Sequence, residues 1–305
     1  MGVLDKVIAE SVPVIPRPIV RKISRRYIAG DTLDEAVKTV RDLNRSGCVA
    51  TIDVLGESTE SKADAAATLL DYENVIDAIE TNDLDSGISV KLTGLGLTLS
   101  EELCRANLKE IVVYAGEKDR FVRVDMEDSP YTSVTLDMVL DLYERHKNVG
   151  AVIQAYMRRS LEDVCRLIEA GVSVRLCKGI YHEPRKIAYK DFHTVRQNYI
   201  FLLDELLRGG VYVGIATHDE FLIWHALRLI HQLEVSKERY EFQMLLGVDE
   251  ELRGILVGAG HKLRVYVPFG EEWFEYSSRR LKENPKIAGY VARDVLGSVA
   301  NTIKR

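Results

Sequence analysis

Short apolar runs of β-type residues recur along the chain, and segments with helical spacing separate them. The runs occupy residues 48–55, 87–92, 121–126, 150–156, 173–177, 211–217, 240–245 and 262–267. Each has the length and the Val, Ile and Leu content of a buried strand. Parallel strands need long crossover connections, usually helical ones, so this alternation predicts a parallel sheet with helices between its strands.

Three of the other segments carry clear helical signals. In 62–80 and in 134–146, apolar residues recur three and four positions apart and form one stripe. The segment 32–43 opens with Thr32 and Glu35, the spacing of a capping box, and has an apolar face of its own. These segments are predicted to be amphipathic helices that pack on the sheet.

Eight strands in this alternation favour an α/β fold of the (β/α)8 TIM-barrel type. An open, doubly wound sheet is the alternative, but the sequence LGEST after the first run lacks the GxGxxG phosphate turn. We therefore expect an N-terminal helical extension over residues 1–46, packed against the barrel. The catalytic barrel is expected over residues 47–305 and includes a C-terminal helix at its rim.

Composition excludes several classes of function. The net charge of −6 over 305 residues argues against a nucleic-acid-binding protein, which would normally be basic. The four cysteines lie far apart without metal-ligand spacing, so we expect neither a metal site nor disulfides, in keeping with a reducing cytoplasm. The N-terminal sequence has no signal-peptide pattern, and no apolar run is long enough to span a membrane.

Polar side chains appear near the C-terminal ends of the apolar runs, where (β/α)8 enzymes place their active sites. They are Glu57, Lys91, Arg123, Asp125, Glu127, Gln154, Arg175, Lys178, Thr217, His218 and Tyr266, with a turn expected at Pro268-Phe269-Gly270. Singly, such residues often mark a sheet edge, a helix cap or a structural histidine. A closed barrel has no edge strand, and buried charges need partners. We expect Lys91 to pair with Asp125, and the remaining cations to be available for an anionic ligand.

The segment EYSSRRLKENP at 275–285 places two adjacent arginines on one face of a predicted helix. Tyr276, Arg279, Arg280 and Glu283 follow the i, i+3, i+4, i+7 spacing. In isolation this pattern is typical of a solvated helix end with an Arg279–Glu283 pair. Directly after the eighth strand, however, such a helix would lie over the barrel mouth. Its guanidinium groups could then bind a carboxylate in a bidentate manner.

The same segment, YSSRRLKEN, resembles the YxxRRxxEN signature of the proline dehydrogenases. Further motifs resemble the family's strand motifs in the same order along the chain. They are LGEST (55–59), ISVKLTGLG (88–96), VRVDMED (122–128), IQAYMRRS (153–160), VRLCKGIYHEP (174–184), ATHDE (216–220) and VYVPFG (265–270). The resemblance is weakest over residues 1–45. It departs from the family at Ile180, where the family usually has alanine.

This resemblance implies an FAD-dependent barrel that oxidises L-proline to 1-pyrroline-5-carboxylate. The residues that match the family's substrate site are Lys91, Leu245, Tyr266, Tyr276, Arg279 and Arg280. The residues that match its cofactor site are Met126, Gln154, Arg175, Lys178, Gly179, Ile180, Thr217, His218 and Glu283. By the same matching, Asp125 organises Lys91 and Tyr266, Arg175 acts near the flavin N5, and Glu57 closes on Arg279 as an ion-pair gate.

Other interpretations remain open from the residues themselves. FMN is an alternative to FAD, and a different flavin barrel, such as a methylenetetrahydrofolate reductase relative, or a barrel without turnover are alternative functions. The family passes electrons to membrane quinone, and its product goes to 1-pyrroline-5-carboxylate dehydrogenase. The basic segment 16–27 suits contact with an anionic membrane surface, and equally suits an ordinary helix packed on the barrel.

Overall fold

The computed structural model describes residues 21, 24, 26–56, 59–274 and 277. Its eight strands are all parallel and form a closed barrel in the order of the sequence. The strands are β1 (Val49–Val54), β2 (Ser86–Val90), β3 (Val122–Val124), β4 (Val149–Gln154), β5 (Val174–Cys177), β6 (Val213–Ala216), β7 (Tyr240–Leu245) and β8 (Leu263–Phe269). Both ends of each strand lie within two residues of the ends of a predicted run, so the predicted barrel is confirmed.

Helices connect the strands throughout the described part of the chain. Helix α1 (Leu33–Arg45) precedes β1. The crossovers are α2 (Lys62–Thr81), α3 (Glu101–Glu117), α4 (Thr132–Tyr143), α5 (Ser160–Ala170), α6 (Phe192–Arg208), α7 (Glu220–Gln232) and α8 (Glu250–Gly258). The three helices that the sequence predicted correspond to α1, α2 and α4, and the capping box of Thr32 and Glu35 is present.

The pairing of β1 with β8 closes the barrel and corrects one expectation. It runs in register from Val49 opposite Arg264 to Val54 opposite Phe269. The predicted turn at Pro268-Phe269-Gly270 is therefore wrong, because β8 continues through Phe269. The backbone N–H of Leu55 donates to the carbonyl of Phe269 at 2.8 Å, which extends the ladder past the proline.

The two faces of the strands differ sharply in polarity. Residues such as Ile88 and Val90, which face the helices, are fully buried in one continuous apolar core. The lumen is polar instead. Arg175 on β5 contacts Ser89 on β2 and Gln243 on β7, and these strands are not neighbours, so the contacts must cross the interior. The apolar layer thus stabilises the barrel, and the lumen remains available for function.

The N-terminal residues pack on both the core and the rim. The apolar face of α1 belongs to the same core as the barrel. Residues 28–30 reach the end of β8, where Ala29 N–H donates to the carbonyl of Pro268 and Gly30 accepts from Gly270. Ser24 also donates to Ser277 at 2.5 Å. Among the described helices, none has both the length and the hydrophobicity to cross a membrane.

Candidate active site

A cleft of about 970 Å³ opens at the C-terminal ends of strands β3 to β8. Most of the residues predicted for the site line it. These are Asp125, Met126, Gln154, Arg175, Lys178, Gly179, Ile180, Thr217, His218, Leu245 and Tyr266. The barrel thus gathers side chains that are widely separated in sequence into one cavity at the edge where barrel enzymes carry out their chemistry.

Arg175 is the central cation of this cleft. It projects from β5, is 6% exposed, and donates to the Asp125 carboxylate at 2.6 Å. It also donates to Ser89 Oγ at 3.2 Å and, through Nε, to Gln243 Oε1 at 2.5 Å. With three strands supplying acceptors, the guanidinium is held in one orientation at the floor of the cleft.

Lys91 joins the network from the turn after β2. Its ammonium lies 2.6 Å from Asp53 Oδ1, 3.1 Å from the Tyr266 hydroxyl and 3.8 Å from Asp125. Burial raises the pKa of Asp53 to about 6. Burial disfavours the Lys91 ammonium, but Asp53, Tyr266 and Asp125 together outweigh it, and the pKa of Lys91 rises well above its usual value. Both groups therefore carry charge at neutral pH.

Asp125 lies between these two cations. Besides accepting from Arg175, it accepts from the Tyr266 hydroxyl at 2.8 Å. The predicted pairing of Lys91 with Asp125 is present at 3.8 Å, but Asp53 is the nearer partner and was missed. The signal for Asp53 was an acid within the apolar run of β1, in phase with Thr51.

The loop after β5 forms the wall of the cleft and needs a glycine. Gly179 has φ +104°, and a Cβ there would lie 2.1 Å from Cδ1 of the Tyr156 ring. The following N–H, of Ile180, donates to Gln154 Oε1 at 3.4 Å, and Gln154 Nε2 donates to the carbonyl of Glu127. The larger side chain at position 180 is accommodated because it is 41% exposed.

Cations and aromatic rings lie at the far end of the cleft, on α6 and α7. Asp219 accepts from Lys178 at 3.1 Å and from Arg196 Nε at 2.8 Å. These cations lower the pKa of Asp219 against the effect of burial. The Arg196 guanidinium is 4.2 Å from the ring centre of Phe192 and 4.8 Å from that of Phe221. The sequence analysis did not predict these two rings or Arg196, because they lie on helices and the predicted site residues were chosen near the ends of strands.

Thr217 and His218 line the cleft and also hold its loops. The Leu245 N–H donates to Nε2 of His218 at 2.9 Å, so Nε2 is unprotonated and the ring ties β6 to β7. Thr217 Oγ1 accepts from the backbone of Asp219 at 3.1 Å. Thr217 and His218 therefore line the cleft and also make hydrogen bonds that hold the backbone of its loops.

Two of the polar residues noted in the sequence lie away from the cleft. Glu127 accepts from the Thr93 backbone and fixes the turn after β2. Arg123 lies at the opposite mouth of the barrel, where it donates to the carbonyls of Ala151 and Ser173. Burial lowers the pKa of Arg123 to about 9.

Five predicted site residues lie outside the described part of the chain. They are Glu57, Tyr276, Arg279, Arg280 and Glu283. Of the predicted rim helix, Trp273, Phe274 and Ser277 are described and helical, and Ser277 Oγ donates to the carbonyl of Trp273 at 2.6 Å. The beginning of that segment follows β8 directly.

Sequence comparison identifies relatives along most of the chain. The family model described as proline dehydrogenase matches residues 36–293. Proline dehydrogenase 1 of Bacillus subtilis subsp. natto is 38% identical over 273 residues, covering 90% of this chain and 90% of that protein. Proline dehydrogenase of Deinococcus radiodurans is 34% identical over 296 residues, covering 93% and 96%.

Structural comparison finds the same barrel in a longer protein. The crystal structure of proline utilization A from Bdellovibrio bacteriovorus, inactivated by N-propargylglycine, matches with a TM-score of 0.82 and 26% identity. The match covers 87% of this chain and 33% of that one, so this chain corresponds to a third of the larger protein.

Proposed function

The chain belongs to the proline dehydrogenase family, and from that premise we propose that it oxidises L-proline to 1-pyrroline-5-carboxylate in the cleft. One observation carries the proposal. Lys91, Tyr266, Asp125 and Arg175 form a continuous network of contacts, each within 3.1 Å of the next, and the last three of them line the cleft. Two cations, Lys91 and Arg175, thus lie 5.9 and 5.4 Å from the ring centre of Tyr266, and we propose that Lys91 binds the substrate carboxylate.

The family is flavin-dependent, and the residues of the cleft fit a flavin. Gly179 lines the cleft, and only glycine fits at this position because a Cβ there would overlap the Tyr156 ring behind it. We propose that Gln154, Arg175 and Met126 hold the ring system, with Lys178, Gly179 and Ile180 beside it. A bound flavin supplies the acceptor for the electrons of proline, and Arg175 stabilises the negative charge of its reduced form.

We propose FAD rather than FMN because the cleft continues beyond these residues. Lys178 and Arg196 could bind a pyrophosphate, and Phe192 and Phe221 offer aromatic faces at the far end. Thr217 and His218 lie along this extension. A site specific for FMN would not need Arg196 as a second cation, and it would not need the rings of Phe192 and Phe221.

The substrate site is proposed to combine described residues with the C-terminal segment. Lys91, Arg279 and Arg280 would bind the carboxylate of proline. Leu245, Tyr266 and Tyr276 would surround its ring. Glu57 would close on Arg279 as a gate, and Glu283 would face the cofactor. The assignments for Glu57, Tyr276, Arg279, Arg280 and Glu283 rest on the sequence motifs alone.

The chemistry asks for positioning rather than for a strong base. Loss of a hydride from the ring carbon next to nitrogen forms a C=N bond with the nitrogen lone pair, so the amine must be neutral at that moment. Binding the carboxylate at one end orients the reacting carbon at the other. Tyr266, fixed by Asp125, shapes the space between them and limits the access of water.

Electron exit and product transfer are proposed from the family resemblance. We propose a membrane quinone as the acceptor, 1-pyrroline-5-carboxylate dehydrogenase as the recipient of the product, and a cytoplasmic enzyme. In the basic segment 16–27, the described residue Arg21 pairs with Asp31 and lies 5.5 Å from the ring centre of Trp273. Contact of the segment with a membrane surface stays a prediction. We keep the division into an extension (1–46) and a catalytic barrel (47–305).

Anaerobic titration of the purified protein with L-proline tests the proposal. The flavin absorbance should bleach in proportion to added proline, and mass spectrometry of the released cofactor should give the mass of FAD. NADH should reduce the flavin far more slowly than proline does. A protein without flavin, or a flavin that proline leaves oxidised, would refute the proposed reaction.

A further inference from the structure

Gln243 on β7 lies between two buried charges in the lumen of the barrel. Its Oε1 accepts from Nε of Arg175 at 2.5 Å, and its Nε2 donates to Oε1 of Glu241 at 2.6 Å. The residue is 6% exposed. A side-chain amide has one accepting and one donating end, so its neighbours determine which end faces which way.

Glu241 fixes that choice because an ionised carboxylate can only accept. It is 1% exposed and lies 2.6 Å from Nε of Arg264, and the Tyr212 hydroxyl donates to it at 2.9 Å. Burial alone would raise the pKa of Glu241, but Arg264, with smaller contributions from Lys262 and Gln243, lowers it to about 2. The amide nitrogen of Gln243 must therefore face Glu241, which leaves its carbonyl oxygen facing Arg175.

The neighbouring strand provides the space for this arrangement. Gly214 on β6 pairs in register with Glu241, and a Cβ at Gly214 would lie 2.4 Å from Nε2 of Gln243. The amide thus packs directly against the backbone of β6. Any larger residue at position 214 would displace the amide from the contact with Arg175.

We propose that Gln243 is a positioning residue for proline oxidation, acting through Arg175. By accepting from Nε, it aims the other nitrogen atoms of the guanidinium at Asp125, Ser89 and the cleft. Glu241 and Gly214 hold Gln243 in turn. The inference rests on the proposed function, because it concerns the cation placed beside the flavin ring.

The test uses Gln243→Met, which keeps the volume and removes both hydrogen bonds. Without its acceptor, Arg175 turns toward Asp125 and stabilises the reduced flavin less. The reduction potential of the bound flavin should become more negative. The kcat for proline should fall about tenfold, as expected for losing one hydrogen bond to a charged group, while the KM changes less than about twofold.

Two comparisons separate positioning from a loss of stability. Phe242→Leu alters a buried neighbour that faces the helices instead of the lumen, and should lower apoprotein stability without moving the flavin potential. In an Arg175→Met background, adding Gln243→Met should produce no further shift of the potential. If Gln243→Met does not fold, Gly214→Ala, which displaces the amide, should give the same shift.

The outcomes distinguish this inference from the proposed function. If the unmodified protein carries no flavin, or its flavin is not reduced by proline, the proposed function fails before any variant is compared. If its flavin is reduced by proline but the potential is unchanged in Gln243→Met or Gly214→Ala, only the role of Gln243 is overturned. A further shift in the Arg175→Met background also contradicts it, because the effect would then not pass through Arg175.

Discussion

The ammonium of Lys91 lies 2.6 Å from the carboxylate of Asp53, and Asp53 is completely buried. Lys91 follows β2 and Asp53 lies in β1, so the pair joins two neighbouring strands through the lumen. Its second carboxylate oxygen, Oδ2, has no hydrogen-bond partner. Asp53 therefore binds the proposed substrate-binding cation through one oxygen atom, and the Tyr266 hydroxyl is the second partner of that ammonium.

The burial of Asp53 beside Lys91 predicts how the free energy of unfolding changes with pH. The pKa of Asp53 is about 6 in the folded protein and has a reference value of 3.8. Between these values the folded state keeps a proton that the unfolded chain has released, so this group's contribution to the free energy of unfolding falls as the pH rises. The advantage of the wild type over Asp53→Asn should shrink from about pH 4 to pH 6 and then stay constant, as urea unfolding would measure.

The exposed Asp119 provides the control for that experiment. Asp119→Asn removes a carboxylate of the same type from the surface, so it separates the effect of a buried aspartate from that of the substitution itself. An advantage of the wild type over Asp53→Asn that grows with pH would contradict the assignment, because it would mean that folding favours the ionised carboxylate.

The alternation of polar and apolar residues in a strand predicts which face a side chain occupies, but not its level along the barrel axis. Alternation showed which face of β3 carries Arg123 and Asp125, and both indeed point into the lumen. It did not reveal their level along the barrel axis. Arg123 lies within β3 and lines the opposite mouth, whereas Asp125 follows the end of β3 and lines the cleft, so the result depends on where β3 ends in the closed barrel.

Contacts between side chains that only the assembled fold brings together were harder to predict. Asp53 was detectable as an acid in an apolar run, but it resembled an ordinary strand residue until β2 placed Lys91 beside it. Arg196 and Phe221 lie on two different helices, α6 and α7, rather than on a strand. Their proximity follows from the packing of α6 against α7, which no local pattern encodes. The family motifs, by contrast, identified site residues that are far apart in the sequence. Their spacing alone would not have shown that they lie close together in the fold.

Gly179→Ala should impair cofactor binding. The new Cβ would overlap the Tyr156 ring and would occupy a backbone conformation with φ +104°. We expect a loss of about 1–3 kcal/mol in stability from the strain and a reduced flavin-to-protein ratio after purification. Gly254→Ala is the matched control, since a Cβ there meets nothing within 4 Å in α8, and it should retain full flavin content. Equal flavin content in both variants would argue against a cofactor wall at Gly179.

Arg196→Met should separate FAD from FMN. The guanidinium lies at the far end of the cleft, paired with Asp219, where only a dinucleotide would reach it. Titration of the apoprotein should show a roughly tenfold loss of FAD affinity, with FMN affinity nearly unchanged. Arg228→Met removes a guanidinium that lies 5.6 Å from the ring centre of Trp224 and does not line the cleft, and should affect neither cofactor. Equal losses for FAD and FMN would place the effect on the flavin ring and contradict the assignment.

Arg279→Met and Arg280→Met test the part of the substrate site that rests on sequence alone. If both guanidinium groups bind the carboxylate of proline, each variant should raise the KM for proline on the order of 100-fold, because charge-assisted bonds to the substrate are lost. The flavin should remain bound, since the described cofactor residues are unchanged. Arg145→Met, at an exposed position after α4, serves as the control and should leave the KM as it is. Proline kinetics that are unaltered in both active-site variants would assign the carboxylate to Lys91 alone and return the C-terminal arginines to the solvated helix face.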